Sequence, residues 1–289
     1  MARHPELADS PLARRLGGNR AVILHVDDVG MCLGANQAFL RLAERRMVTC
    51  GSIMVPCPWF QAIAEALDLG VHLMLTSEWA VYRWRPISTA SKASGLIDGD
   101  GYFWRDLASL RRHLVPEAAA IELRAQVERA LAAGLRPTHL DAHMAAAMLP
   151  ELLDTHITLA REHELVPVLP RTIRFAPEPS AYARAVATLQ SAGVLLPDHF
   201  RGTLAVPRSE APRAYQQMIT DLPEGVTHIA LHCTVSGDIE AIAPDHAACR
   251  VQEYALLDEG RIGAWCNAAA AKPVGYRECW NAQNWSGCA

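Results

Sequence analysis

The chain repeats one pattern: a short apolar run rich in β-branched residues, ending in acids or histidines, then a stretch with helical spacing. AVILHVDD (21–28) is the first such run, and LGANQAFLRLAERR behind it puts Leu33, Ala38, Leu42 and Ala43 on one helical face. TCGSIMVP, stopped by Pro56, reads as a second strand. The same reading predicts a helix around Trp59 to Leu69, a strand VHLML from Val71, a helix from Pro116 to Ala133 and a strand THLDAH. It continues with a helix from Pro150 to Glu164, a strand near VPVLP, and helices over Tyr182–Ala192 and Ser209–Thr220. The last elements are a strand from Val226 to Cys233 and a helix through Arg250 to Leu257. Apolar strands that alternate with helices belong to a parallel α/β sheet covered on both faces, here closed or nearly closed.

A chain of 289 residues can hold one such barrel, so a single domain is expected over 21–265, with a flexible segment 1–20 before it and a tail 266–289 after it. The stretch from Ser77 to about Val115 breaks the alternation and reads as a long aromatic-rich insertion; its IDGDGYFW favours a small hairpin or lid over a barrel strand. Apolar residues at 51% and charged residues at 20% are the balance of a globular enzyme with a large core. A net charge of −4, with no basic runs interleaved with aromatics, excludes a nucleic-acid groove. No apolar run has signal-peptide length or reaches the roughly 18 residues of a spanning helix, so no membrane span and a cytoplasmic location are expected. Eight cysteines without a CxxC pair read as reduced, mostly buried thiols.

Polar residues fall at the carboxyl ends of four predicted strands: Asp27 and Asp28; His72; His139, Asp141 and His143; His228 and His232. In a parallel barrel all strand carboxyl ends open on one face, so these residues converge. Two imidazoles and a carboxylate leave positions open on a divalent ion, which lowers the pKa of water and polarises a carbonyl, a hydrolase arrangement. Zn²⁺ suits such ligands best, with Mg²⁺, Ni²⁺ or Co²⁺ as alternatives. His139, Asp141 and His143 alternate along one strand, so all three can face the interior; Asp141 is placed to orient a ligand imidazole, and His139 also reads as a buried structural histidine. Adjacent strand residues point to opposite faces, so Asp27 and Asp28 share the site only if the backbone turns at Val29–Gly30.

HVDDVG, GVHLMLT, PTHLDAH and LHCTVSG, in this order over about residues 21 to 258, resemble the motifs of the YdjC-like (ChbG/HpnK-like) carbohydrate deacetylase family. The resemblance implies a deformed, TIM-barrel-like (β/α) barrel, a divalent metal, and hydrolysis of the N-acetyl amide of an amino-sugar substrate. By position it implies Asp28, His72 and His143 as metal ligands, Asp27 as general base and His232 as general acid. It also implies a homodimer, since relatives are often dimeric. The family's motif continues with further histidines after Asp-x-His, where this chain runs His143-Met144-Ala145-Ala146-Ala147-Met148, and its usual phenylalanine is Val29 here. The lost polar surface favours a more apolar or bulkier acceptor, a glycosylated natural product or glycolipid, over a chitooligosaccharide.

Trp79, Tyr82 and Trp84, directly after GVHLMLT, are placed to stack on sugar faces, with packing as the competing role. Arg174, after the VPVLP strand, is a candidate to orient Asp27 or a substrate hydroxyl, and Arg250 with Glu253 reads as a pair at helical spacing. Two other functions compete with the sugar deacetylase: a metal-dependent amide or ester hydrolase of another small molecule, and an inactive sugar-binding relative.

Overall fold

The computed structural model describes residues 9–63 and 68–283. Strand β1 (Arg20–Val29) lies at the centre of the sheet. On one side follow β2 (Cys50–Ile53), β3 (Leu69–Leu73), β4 (His139–Ala142) and β5 (Val166–Pro167), in that order. On the other side, β7 (Gly225–Leu231) lies next to β1 and β6 (His199–Arg201) next to β7. β8 (Lys272–Pro273) pairs with Ala21 and Val22, beside the lower half of β1 that β2 leaves open. Every pairing is parallel.

The sheet curls, and its two ends approach each other just past β5. There the Arg171 and Thr172 amides donate to Pro197 O (2.8 Å) and Asp198 O (2.9 Å), and Thr172 forms a parallel bridge to His199. The fold is thus α/β with a curled parallel sheet, consistent with a deformed barrel.

Most of the expected helices form, with ends shifted by a few residues: Leu33–Glu44, Pro116–Ala132, Leu153–Glu162, Pro179–Ser191 and Ala211–Thr220. The helix expected through Arg250 to Leu257 is longer than its pattern, Pro244–Asp258, and starts at Pro244, whose missing amide is tolerated in a first turn. In the first of them Leu33 is 41% exposed, and Phe39 supplies the buried face with Ala35, Ala38 and Leu42. The helix expected around Trp59 to Leu69 is a correction. Only Phe60–Ala62 makes a tight turn, Ile63 is extended, Leu69 opens β3 opposite Gly51, and residues 64–67 lie outside the described residues. Sheet pairing of Leu69 outweighs its helical spacing.

Ile97 and Phe103 face each other in an antiparallel bridge, with the turn closed by Asp98 and Gly101 (φ 81°). Trp84, Leu96 and Phe103 bury this segment against the core, and Glu122, itself buried, accepts the Ser88 amide at 2.8 Å.

Short helices before β1 and after β8 pack on the barrel. The helix Pro11–Arg15, capped by Ser10, buries Leu12 and Ala13 against Ala21, Ile23, Val166 and Val226. Tyr276 and Cys279 of the helix Tyr276–Ala282 join the same cluster. Alternation along β1 carries the interior upward from Ala21 and Ile23 to His25 and Asp27, so an apolar plug at the amino end gives way to polar layers at the carboxyl end. No helix among the described residues is long and apolar enough to cross a membrane.

Gly70 shows how tightly those layers are packed. A Cβ there would stand 2.4 Å from the His139 ring and 2.6 Å from the His139 carbonyl oxygen, so the glycine two residues before His72 makes room for the imidazole of the neighbouring strand. Gly70→Ala is expected to cost about 1–3 kcal/mol through overpacking, lowering the thermal midpoint by roughly 3–10 °C in a scanning experiment; an unchanged midpoint would mean that His139 can move aside.

Candidate metal and acid–base site

The site depends on an irregularity in β1. Val26 pairs with Gly51 and Val29 with Ile53, so two residues, Asp27 and Asp28, stand opposite the single Ser52. Such a bulge inserts one residue and re-aims its neighbours. Asp28 itself takes the left-handed conformation (φ 61°), ahead of Gly30 (φ 87°), which brings both acids to the interior. The turn expected at Val29–Gly30 therefore starts one residue earlier, at an aspartate, a residue type that tolerates this conformation.

Three donor atoms converge above the bulge. His72 Nε2 lies 3.5 Å from Asp28 Oδ1, His143 Nδ1 3.3 Å from the same oxygen, and the two nitrogens 3.2 Å from each other. Donors held about 2.0–2.1 Å from a common ion have separations of this order. All three residues are buried, and neither Asp28 oxygen accepts a hydrogen bond of normal geometry, although Arg250 Nη2 stands 2.8 Å from Oδ2. Buried, under-satisfied carboxylate oxygens beside two imidazole nitrogens suit a divalent cation.

Surrounding groups orient these side chains. His72 Nδ1 meets Asp141 Oδ1 at 2.8 Å, and the Ser52 hydroxyl donates to Asp141 Oδ2 at 2.7 Å. His143 Nε2 meets Glu78 Oε2 at 3.0 Å. β4 stops at Ala142, one residue short of the expected THLDAH strand; His143 follows it directly, and the next two residues, Met144 (φ 51°) and Ala145 (φ 58°), are both left-handed, turning the chain sharply behind the imidazole. For L-residues that conformation costs about 1–2 kcal/mol each.

Charge follows geometry. Burial alone would push the Asp28 carboxyl up, but Arg250 and the imidazoles of His143 and His72 hold it well below the usual range. Burial disfavours charge on His72, yet Asp141 and Asp28 raise its imidazole well above the ordinary value. Against the same burial, Glu78 and Asp28 raise His143 to about 9. The pocket draws positive charge.

Asp27 occupies the next layer. Its Oδ1 is 2.6 Å from His25 Nδ1, and its Oδ2 is 3.7 Å from His232 Nε2. Burial raises its carboxyl, and the bond to His25 with the charges of His25 and His232 more than offsets this. His232 is fixed from behind: its Nδ1 meets the Thr203 hydroxyl at 2.8 Å, and its amide donates to Glu253 Oε2 at 2.7 Å. Glu253 also accepts the Tyr215 hydroxyl. The expected Arg250–Glu253 pairing is thus a correction, because Arg250 reaches across to Asp28 while Glu253 holds the backbone of His232.

The remaining candidates divide. His139 is fully buried and its ring stacks on Tyr276 at 4.1 Å. His228 lies deep in the interior, bonded to the Tyr276 hydroxyl at 2.9 Å, and burial followed by the charge of His25 lowers it to about 3. Trp84 is buried, with its indole N–H donating to Thr76 O, a packing position. Tyr82 is half-buried and donates to Met31 O at 2.6 Å; Trp79, also half-buried, lies 5.5 Å beneath the Arg250 guanidinium. Arg174 is exposed, whereas the Asp27 carboxylate meets His25 and His232. Sequence reasoning passed over His25, Ser52, Glu78 and Thr203. His25 could have been found, since it shares the inward face of β1 with Asp27.

The profile of a family described as YdjC-like protein matches residues 21–268. A carbohydrate deacetylase of Thermus thermophilus is 32% identical over 241 residues, 83% of this chain and 88% of its own. A carbohydrate deacetylase of Geobacillus stearothermophilus is 26% identical over 270 residues, 90% of this chain and 98% of its own. A crystal structure from Enterococcus faecalis, described as a cellobiose-phosphate cleavage protein, shares the fold with a TM-score of 0.76 at 20% identity, covering 90% of this chain and 98% of that one.

Asp141→Asn is expected to weaken divalent-ion affinity by about 10- to 100-fold, the usual cost of removing a partner that orients a ligand histidine. Chelator competition measures it, with circular dichroism as the check on folding; unchanged affinity would separate Asp141 from any metal role.

Proposed function

The chain belongs to the YdjC-like protein family, and on that premise we propose that it is a metal-dependent sugar N-deacetylase, hydrolysing the N-acetyl amide of an amino-sugar-containing substrate. The observation that carries this reading is the meeting of Asp28 Oδ1, His72 Nε2 and His143 Nδ1 within 3.2–3.5 Å of one another, on the same face as Asp27 and His232. Two relatives matched over most of their own length are named carbohydrate deacetylases. A divalent ion held by Asp28, His72 and His143 would polarise the amide carbonyl and acidify water beside it. Two imidazoles and one carboxylate, at separations near the edges of a tetrahedron, favour Zn²⁺ over Mg²⁺, Ni²⁺ or Co²⁺.

The chain's own residues supply the proton transfers. Asp27 Oδ2, the oxygen not engaged by His25, takes a proton from the attacking water. His232 Nε2, whose other nitrogen is occupied by Thr203, delivers a proton to the amine as the C–N bond breaks, giving acetate and the free amino sugar. The 3.7 Å between Asp27 Oδ2 and His232 Nε2 is too long for a hydrogen bond, so the proposed proton acceptor and proton donor are not bonded to each other.

The acceptor is proposed to be more apolar than a chitooligosaccharide, a glycosylated natural product or glycolipid. Met144, next to the proposed ligand His143, is 52% exposed and offers no hydrogen bond to a sugar hydroxyl. Seven cysteines, all free among the described residues, support a reducing and therefore cytoplasmic setting.

Asp27→Asn and His232→Gln are each expected to lower the rate of acetate release by about 10²- to 10⁴-fold while bound metal stays stoichiometric. Acetate release from N-acetylglucosaminyl conjugates, compared with diacetylchitobiose, measures both the loss and the acceptor preference. Full activity of Asp27→Asn would remove the base assignment.

A further inference from the structure

The proton-transfer roles leave a column of buried polar groups beneath Asp27 unexplained. His25 is fully buried, with Nδ1 2.6 Å from Asp27 Oδ1 and Nε2 2.9 Å from His139 Nε2. His139 Nδ1 in turn lies 2.9 Å from Thr138 Oγ1, and the Thr138 hydroxyl donates to Asp68 Oδ1 at 2.5 Å, far closer than its alternative acceptor, Leu69 O at 3.5 Å. Asp68 sits at the amino end of β3, so the column runs through the barrel interior.

The column has a direction. A hydroxyl carries one hydrogen, and Thr138 gives its hydrogen to a carboxylate, so Thr138 Oγ1 accepts from His139 Nδ1–H. Burial, then the charge of His25, push the His139 imidazole well below its usual value, leaving it neutral with a lone pair on Nε2. That lone pair accepts from His25 Nε2–H, and because a carboxylate only accepts, His25 Nδ1–H donates to Asp27 Oδ1, so both ring nitrogens of His25 are donors. His25 is thereby held in one ring orientation, with Nδ1 aimed at Asp27. Rings on either side block rotation: His228 lies 4.7 Å from His25, and Tyr276 stacks on His139 at 4.1 Å. The terminal torsion of an aspartate is otherwise broad, and small misplacements of a reacting group are costly.

We propose that His25 is a positioning residue for Asp27, anchored through His139 and Thr138 to Asp68, which ties down Oδ1 and leaves Oδ2 as the oxygen that receives the proton from water. The proposal rests on the deacetylase reading, in which Asp27 is the base.

The test compares the wild type with His25→Leu, His25→Asn and Thr138→Val at measured metal content. In His25→Leu, kcat is expected to fall about 10- to 100-fold with KM and metal content unchanged. His25→Asn, whose amide can place a donor near the position of Nδ1, should recover most of that loss. Thr138→Val, at the far end of the column, should lower kcat by a smaller factor and serves if His25→Leu does not fold. Independently of turnover, the short His25–Asp27 contact should give a strongly downfield imidazole N–H proton resonance that is absent from both His25→Asn and Asp27→Asn. Unchanged kcat in His25→Leu and Thr138→Val, a resonance that persists in Asp27→Asn, or loss of metal from His25→Asn would overturn the proposal. A metal-loaded wild type that releases no acetate from any N-acetyl sugar would remove the deacetylase reading and the positioning role with it, while the resonance would still report the contact.

Discussion

Two aspartates must share one face of a strand whose geometry sends neighbours to opposite faces, and the rest of the site depends on how that conflict is resolved. The extra residue in β1 and the left-handed backbone at Asp28 resolve it. Asp27 then continues the inward row begun by Ala21, Ile23 and His25, while Asp28 swings to meet His72 and His143. A regular strand would leave one carboxylate on the helix side, where Val26 and Val22 pack against Phe39 and Leu42. An unpaired charge in such a layer costs several kcal/mol.

Gathering four acids and five imidazoles in one barrel is tolerable only because almost every group has a partner. Asp141 binds both His72 and Ser52, Glu78 binds His143, and His25, His139 and His228 are tied to Asp27, Thr138 and Tyr276. Below them, Leu12, Ile23, Val166 and Val226 form an apolar plug that keeps water out of the amino end. The exception is Asp28, whose oxygens lack hydrogen bonds of normal geometry, and its Oδ1 lies within 3.5 Å of the imidazoles of both His72 and His143. A well-satisfied surrounding with one under-satisfied centre is the arrangement expected where a cation is to be held by rigid ligands.

The parallel sheet and the gathering of Asp27, Asp28, His72, Asp141, His143 and His232 were legible because strand periodicity and strand ends are local signals, and because a parallel barrel sends all carboxyl ends to one face. Asp141 could be assigned its partner role from alternation alone, and the structure places it on His72 Nδ1. Less could be read where tertiary contacts decide. Glu78 lies in an irregular segment with no periodicity to show which way it points, and Arg250 reaches a strand more than two hundred residues away in preference to its helical neighbour Glu253. The segment 59–69 had helical spacing, but sheet pairing of Leu69 with Gly51 took its end. Ordered packing of Leu12 and Tyr276 against β1 was hidden because both lie in short elements flanked by polar residues.

The most direct test of the account is elemental analysis of the purified protein alongside His72→Ala and His143→Ala, with acetate release from N-acetylglucosaminyl compounds assayed on the same samples. The account predicts about one divalent ion per chain in the wild type, lost from both variants together with acetate release. Metal retained in both variants at wild-type stoichiometry would contradict it, because the three converging atoms of Asp28, His72 and His143 would then not be the site that holds the ion.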